Sequence, residues 1–369
     1  RMVRDGKYWV CAYANSQHEL GQDLATDPMQ SSFLKAMSLC DGVVLVLDSE
    51  ATTFTRAWCC FELAARGVLQ SHRTSRRGDA PGRGALQNLA QDCTQQPLKL
   101  DVATARGSDG KAALLTEGLT DEEAKMPPAR AWSAKSADEQ FFPTDLFLSC
   151  LDIEILEASA SNAIDKKRIL NALAGLDVET ELDVAAPVLE TVNQSLRCMF
   201  AVAALRKALQ DDRDIFSEHS SLSLGEALRR DYSRTSLHLH LARLEISSIH
   251  AAELAGCLMP LKKLRQLTLN LSGLNTQRFN REAETRLWTA LAGLKQLRIL
   301  DLDLSSRLQL ASSAELGEAL AELEHMKELK LNLACCCQER MDMSDLWKAL
   351  ARLTQLRKLQ LDFSSSVST

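Results

Sequence analysis

Five short lines in the C-terminal third of the chain share one leucine frame: L-H-L-H-L (237–241), L-T-L-N-L (267–271), L-D-L-D-L (300–304), L-K-L-N-L (329–333) and L-Q-L-D-F (359–363). Their leading leucines stand at 237, 267, 300, 329 and 359, giving periods of 30, 33, 29 and 30 residues. Leucine at every second position marks a strand with one buried face. Each line after the first follows a helix-like run, as in W-T-A-L-A-G-L-K-Q-L-R-I and W-K-A-L-A-R-L-T-Q-L-R-K. One strand and one helix cannot bury their own apolar faces, but a stack of such units can. A C-terminal α/β solenoid is therefore expected over 231–369.

With the leucines turned inward, the residues between them face out. These are His238 and His240, Thr268 and Asn270, Asp301 and Asp303, Lys330 and Asn332, and Gln360 and Asp362. Five parallel strands would tile one face with these polar groups, the natural place to bind a protein partner. His238-x-His240 sends two imidazoles to the same face, but the next strand offers only Thr and Asn, so no metal is expected. The frame resembles the leucine-rich repeat family in its long class, with L-x-x-L-x-L at Leu264, Leu267 and Leu269 and again at Leu297, Leu300 and Leu302. Ser272 and Ser305 stand where that family carries asparagine, so its usual asparagine ladder is not expected.

The N-terminal part has a different texture. Y-W-V-C-A-Y-A (8–14) and V-V-L-V-L (43–47) are continuous apolar runs, as in strands buried on both faces of a parallel sheet. S-S-F-L-K-A-M-S-L-C between them is a short helical pattern, with Ser31 or Ser32 as cap and Phe33, Met37 and Cys40 on one face. A second helix starts near Trp58, and L-K-L-D-V-A-T-A (98–105) reads as a third strand. Alternating strands and helices at this spacing predict an α/β module over 1–143. Surface insertions are expected at 71–90 and 106–143. From Thr144 to about Arg229 the pattern is amphipathic helix throughout, read as a helical connector over 144–230.

Eleven cysteines without framework spacing, two of them adjacent and three consecutive, fit reduced thiols in a cytoplasmic protein. A formal net charge of −6 argues against nucleic acid as the main partner. No apolar run approaches the length of a membrane span, so no membrane partner is expected. The chain opens on Arg1 and soon enters a strand-like run, as a fragment would whose first strand and helix precede it.

There is no P-loop, no G-x-G-x-x-G and no G-x-S-x-G. What remains is T-R-A-W-C-C-F-E-L-A-A-R-G (55–67), where Glu62 follows the Trp58-Cys59 pair. The stretch from Ser31 to Leu63, with its apolar strand, short loop and W-C-x-x-E-L, resembles the middle of a TIR domain. Y-W-V-C-A-Y-A-N-S-Q-H (8–18) resembles the related heterokaryon-incompatibility domains through Trp9, Asn15 and Gln17. Both resemblances imply a flavodoxin-like parallel sheet. With the helical middle and the repeats, the combination resembles a set of dinoflagellate proteins.

The TIR resemblance implies a self-associating signalling module, hence a homo-oligomer, in a scaffold that needs no cofactor. It also carries an alternative: an NAD glycohydrolase with Glu62 as catalytic carboxylate, Asn15, Gln17 and Trp58 as substrate contacts, and NAD as substrate. Cleaving the nicotinamide–ribose bond builds positive charge on the sugar, and nicotinamide leaves neutral, so one carboxylate beside the ribose can suffice.

Overall fold

The G-V-V-L-V-L line forms strand β1 (Gly42–Leu47) and pairs in parallel with β2 (Lys99–Thr104), register Gly42↔Lys99 through Leu47↔Thr104. Strand β3 (Ala113–Leu115) adds antiparallel to β2, so this sheet is mixed rather than wholly parallel. In the computed structural model, residues 26–74, 99–105, 112–116, 118–181, 187–210, 224–232, 234–245, 247–274, 281–306, 313–335 and 343–364 are described. They form an α/β protein with parallel strand pairing in both of its sheets. The strand expected at 8–14 lies outside the described residues.

Contacts divide the chain into two units, Arg1–Glu117 with Asp138–Arg197, and Gly118–Ala137 with Cys198–Thr369. In the first, α1 (Ser32–Leu39) starts where the Ser31 hydroxyl accepts a hydrogen bond from the Leu34 N–H at 3.4 Å. Leu34 and Met37 are its buried residues, and Phe33, expected inside, is half-buried. Strand β1 also departs from expectation: Leu45 and Leu47 are buried while Val44 and Val46 are exposed. An apolar run alone does not tell a strand covered on both faces from one covered on a single face.

The second helix, α2 (Ala57–Thr74), packs against α1 and against α5 (Ala163–Ala174). The segment expected as an insertion over 106–143 carries β3 and α3 (Pro128–Glu139), followed by α4 (Thr144–Ser149). Among the described residues, the span 144–230 expected to be a helical connector carries α4, α5, α6 (Pro187–Gln210) and α7 (Leu224–Arg230), with irregular chain at 153–162 and 175–181, and its helices are divided between the two units. Within the first unit, Arg197 on α6 donates from Nε and Nη2 to the Ile153 carbonyl at 3.1 and 2.8 Å, and Asn193 accepts from the Ile155 N–H at 3.0 Å. Those bonds hold an irregular stretch against a helix where backbone groups would otherwise be buried unpaired.

The second unit holds a five-stranded all-parallel sheet in chain order: β4 (Ser236–His240), β5 (Gln266–Asn270), β6 (Ile299–Asp303), β7 (Glu328–Asn332) and β8 (Lys358–Asp362). Between successive strands run α8 (Ser248–Leu258), α9 (Arg281–Ala292), α10 (Ser313–Ala321) and α11 (Ser344–Arg352), each packed on the next. The register puts Leu237, Leu267, Leu300, Leu329 and Leu359 in one line and Leu239, Leu269, Leu302, Leu331 and Leu361 in another. All but the last of each line are buried. The leucine frame thus sets the register directly, because a slip of one residue would turn every leucine out.

Strands β5 to β8 end in the same side-chain-bonded turn. Asn270, Asp303, Asn332 and Asp362 accept a hydrogen bond on Oδ1 from the backbone N–H two residues on, at 2.9–3.0 Å. One position further along, after β5, β6 and β7, the chain is left-handed at Gly273 (φ 65°), Ser306 (φ 57°) and Cys335 (φ 57°), and Arg243 (φ 58°) holds the same place after β4. The post-strand backbone then bonds to the next unit, as in Leu241 N to Asn270 O and Arg243 N to Ser272 O.

Candidate functional site

Strand β1 ends at Leu47, and Asp48 begins the loop that leads to α2. Its carboxylate accepts from the Thr52 N–H at 2.8 Å and the Glu50 N–H at 3.3 Å, and the Thr52 hydroxyl together with these N–H groups holds its pKa below the usual range. Thr53 ties the loop back by donating to the Val46 carbonyl at 3.1 Å. At the head of α2 the Ala57 N–H donates to the Ser159 carbonyl at 2.8 Å, and Ser159 N–H donates to Thr55 O at 2.6 Å. The start of this helix is therefore bonded to protein.

Ala57, Cys60, Phe61 and Leu63 are buried, and Trp58 meets Phe61 edge-on with ring centroids 5.8 Å apart. Trp58 and Glu62 are half-buried. Glu62 stands in the second turn, and the first turn of α2 holds no acidic residue, so attraction to the helix end does not account for it. Desolvation pushes its carboxyl up to about 7, partly offset by the Arg56 guanidinium. It has no hydrogen-bond or ion-pair partner among the described residues. Burial likewise pushes the neighbouring Cys60 thiol up to about 12, so that sulfur is an inert core group and donates to the Phe54 carbonyl. Asn15 and Gln17 lie outside the described residues, so the expected group of four reduces here to Glu62 and Trp58.

The second feature is the face of the five-stranded sheet turned away from the leucines. Register aligns His238, Thr268, Asp301, Lys330 and Gln360 in one row, and His240, Asn270, Asp303, Asn332 and Asp362 in the next. All ten outward positions expected from strand alternation therefore share one face, half-buried or exposed. In the first row Lys330 Nζ reaches Asp301 Oδ2 at 3.1 Å. His238 is held between Ser236 Oγ (3.1 Å) and Thr268 Oγ1 (3.0 Å), so both ring nitrogens face hydroxyls. Among the described residues no three His, Cys, Asp or Glu side chains are grouped to hold a metal.

Two of the expected roles change. His240 is covered: Trp132 of α3 stacks on it at 5.6 Å and 27°, and Arg206 of α6 lies over that indole at 4.9 Å. Arg206 also donates to the carbonyls of His240 (3.1 Å) and Ala242 (2.8 Å) and to Ser136 Oγ (2.9 Å). The β4 end of the face is thus closed by residues far away in sequence. In the second row, Asn270, Asp303, Asn332 and Asp362 each spend one side-chain oxygen on their own turn. Sequence alternation found their direction but not that duty.

Missed altogether were Trp132 and Arg206, which lay in segments read as insertion and connector. Among the described residues no helix is long and apolar enough to cross a membrane. No protein-family model matches the chain, and no curated protein matches it at a significant level.

Proposed function

We propose that the chain is a signalling scaffold: a leucine-rich-repeat-like solenoid binds a protein partner, and a TIR-like, flavodoxin-like module in the same chain self-associates. The observation that carries this reading is the pair of in-register polar rows on β4–β8. Outside His240 they offer Asp301, Asp303 and Asp362 against the single cation of Lys330, on strands whose inward leucines are buried from β4 to β7. An acidic array ordered by strand register suits a folded partner with a basic surface, because charge complementarity sets orientation and encounter rate. A photo-crosslinking residue placed at Thr268 should capture the partner in native lysate, whereas one at Lys295, between α9 and β6, should not. Equal capture from both positions would reject the row as the interface.

A second reading is favoured by Glu62. A carboxyl raised to about 7, without a bonded partner among the described residues, on the helix that follows a strand's carboxyl end is the kind of perturbed group found at catalytic sites. In this reading Glu62 stabilises positive charge on the ribose as nicotinamide leaves NAD. Nicotinamide release from NAD that disappears in Glu62→Gln, with folding intact, would support it. Release unchanged by that substitution would remove it.

A further inference from the structure

Strands β5 to β8 are entered through the same step. Arg265, Arg298, Lys327 and Arg357 each stand two residues ahead of the leading leucine of their strand. That residue and the next both donate their N–H to one carbonyl of the preceding unit: Thr235, Arg265, Arg298 and Lys327 in turn, at 2.7–3.1 Å. The same backbone place, repeated four times, carries a cation each time. Leu264, Leu297 and Met326 before the first three of these residues, and Leu267, Leu300 and Leu329 after them, are buried. Arg265, Arg298 and Lys327 are half-buried, so the row comes to the surface between two lines of core side chains.

Helix ends do not account for the row. Cations are favoured at a helix C-terminus, but that attraction fades within the last turn. Helices α8 to α11 end at Leu258, Ala292, Ala321 and Arg352, five residues or more before the row. The turn lysines are a separate set with bonds to the next unit: Lys262 Nζ donates to the Gly293 carbonyl at 3.3 Å, and Lys295 Nζ meets Glu322 Oε2 at 2.5 Å. In the adjoining row, Glu328 lies 3.8 Å from Lys358, and Ile299 sets one half-buried apolar side chain beside Arg298.

Spacing decides what fits. Neighbouring strands lie about 4.8 Å apart, so the four cations span about 14 Å. On an α-helix, residues i, i+3, i+7 and i+10 share a face and span about 15 Å, one side chain per strand. Four same-face residues of an extended peptide span about 20 Å and fall out of step. No Trp, Tyr or Phe stands in 259–266, 293–299, 322–328 or 353–358, so the row lacks the stacking platforms of single-strand nucleic-acid binders. We propose that this row docks an acidic α-helix of a protein partner, laid across β5 to β8. Carboxylates at i, i+3, i+7 and i+10 meet Arg265, Arg298, Lys327 and Arg357, and Ile299 gives the helix an apolar footing. Asp301, Asp303 and Asp362 lie three to five residues further along their strands, so the two surfaces are opposite in sign. The inference does not depend on the partner-binding reading of those outward rows.

The probe is a dye-labelled, alanine-based helical peptide with glutamate at i, i+3, i+7 and i+10. It is titrated with the full chain at low ionic strength and followed by fluorescence anisotropy. Binding is expected, and added salt should weaken it. Lys327→Glu with Arg357→Glu should weaken it by about tenfold or more at an unchanged melting temperature. A peptide whose last two glutamates are replaced by lysine should regain affinity for that double variant, which neither misfolding nor general stickiness would produce. No binding by the folded chain would overturn the proposal, as would equal binding of a peptide with the same residues in scrambled order. So would a double variant that binds unchanged or is not rescued by the lysine peptide. Tighter binding of a single-stranded oligonucleotide would also overturn it, because the row would then be a general polyanion site.

Discussion

Trp132 lies flat on His240, with ring centroids 5.6 Å apart and planes 27° from parallel. The contact joins a helix from the middle of the chain to the first strand of the repeated sheet and closes that end of its polar face. Trp132→Ala should cost about 3–5 kcal/mol, as for other buried tryptophans. Arg206→Ala should cost about 2–3 kcal/mol, because it leaves the His240 and Ala242 carbonyls without their donor. Urea unfolding of the two variants checks both, and losses below about 1 kcal/mol would contradict the packing described.

The strand-end turns predict a graded series. Asn332→Ala and Asp303→Ala each remove an acceptor for a turn N–H and should cost about 1 kcal/mol, like the loss of a helix cap. Asp303→Asn keeps the acceptor and should be nearly neutral. Asp362 makes the same bond to Ser364, which holds its pKa below the ordinary carboxylate value. A lowered folded-state pKa means stability that is present above the unfolded value and is lost as the pH falls through the folded one. Fraying of the last turn in acid, followed by proteolysis, should therefore disappear in Asp362→Asn.

The left-handed position in each turn gives a prediction of opposite sign. Ser306→Gly relieves a side chain at φ 57° and should stabilise by about 0.5–1 kcal/mol. Gly273→Ala should destabilise, since a Cβ there would stand 3.0 Å from Arg243 Cγ at a φ of 65°. Thermal melts of the two variants should move in opposite directions.

Glu62 gives a pH signature. Its folded-state pKa is about 7 against an ordinary 4.5, so the folded chain holds the proton more tightly. The stability this contributes is complete below pH 4.5 and is lost as the pH rises through 7, a span worth about 3 kcal/mol. Glu62→Gln should flatten that decline and leave the variant more stable than the natural chain at pH 8. If Glu62 also cleaves NAD, release should rise with pH through the same window, because the carboxylate is the active form.

Much of the second sheet was readable because leucine at alternate positions fixes which face of each strand is buried and forbids a one-residue slip. The lines at 237, 267, 300, 329 and 359 became five strands in that order, with the ten intervening side chains on one face. The turns that close them were hidden. Of the four left-handed positions only Gly273 advertises its backbone, and Arg243, Ser306 and Cys335 follow it through packing and bonding to the next unit. Val44 and Val46 show the reverse error, since an apolar run reports composition and not which face is covered. Trp132 and Arg206 could not be assigned because their partners are about 108 and 34 residues away along the chain, and periodicity is a local signal.

The most direct test of the binding role exchanges the charges of one pair. Lys330 Nζ lies 3.1 Å from Asp301 Oδ2, and Asp301→Lys with Lys330→Glu keeps opposite charges at the two positions while inverting the charge order of the row. We expect an unchanged melting temperature and a partner recovery from native lysate reduced by about tenfold or more. Recovery of the same proteins in the same amounts by the folded double variant would contradict the assignment of this face as the interface.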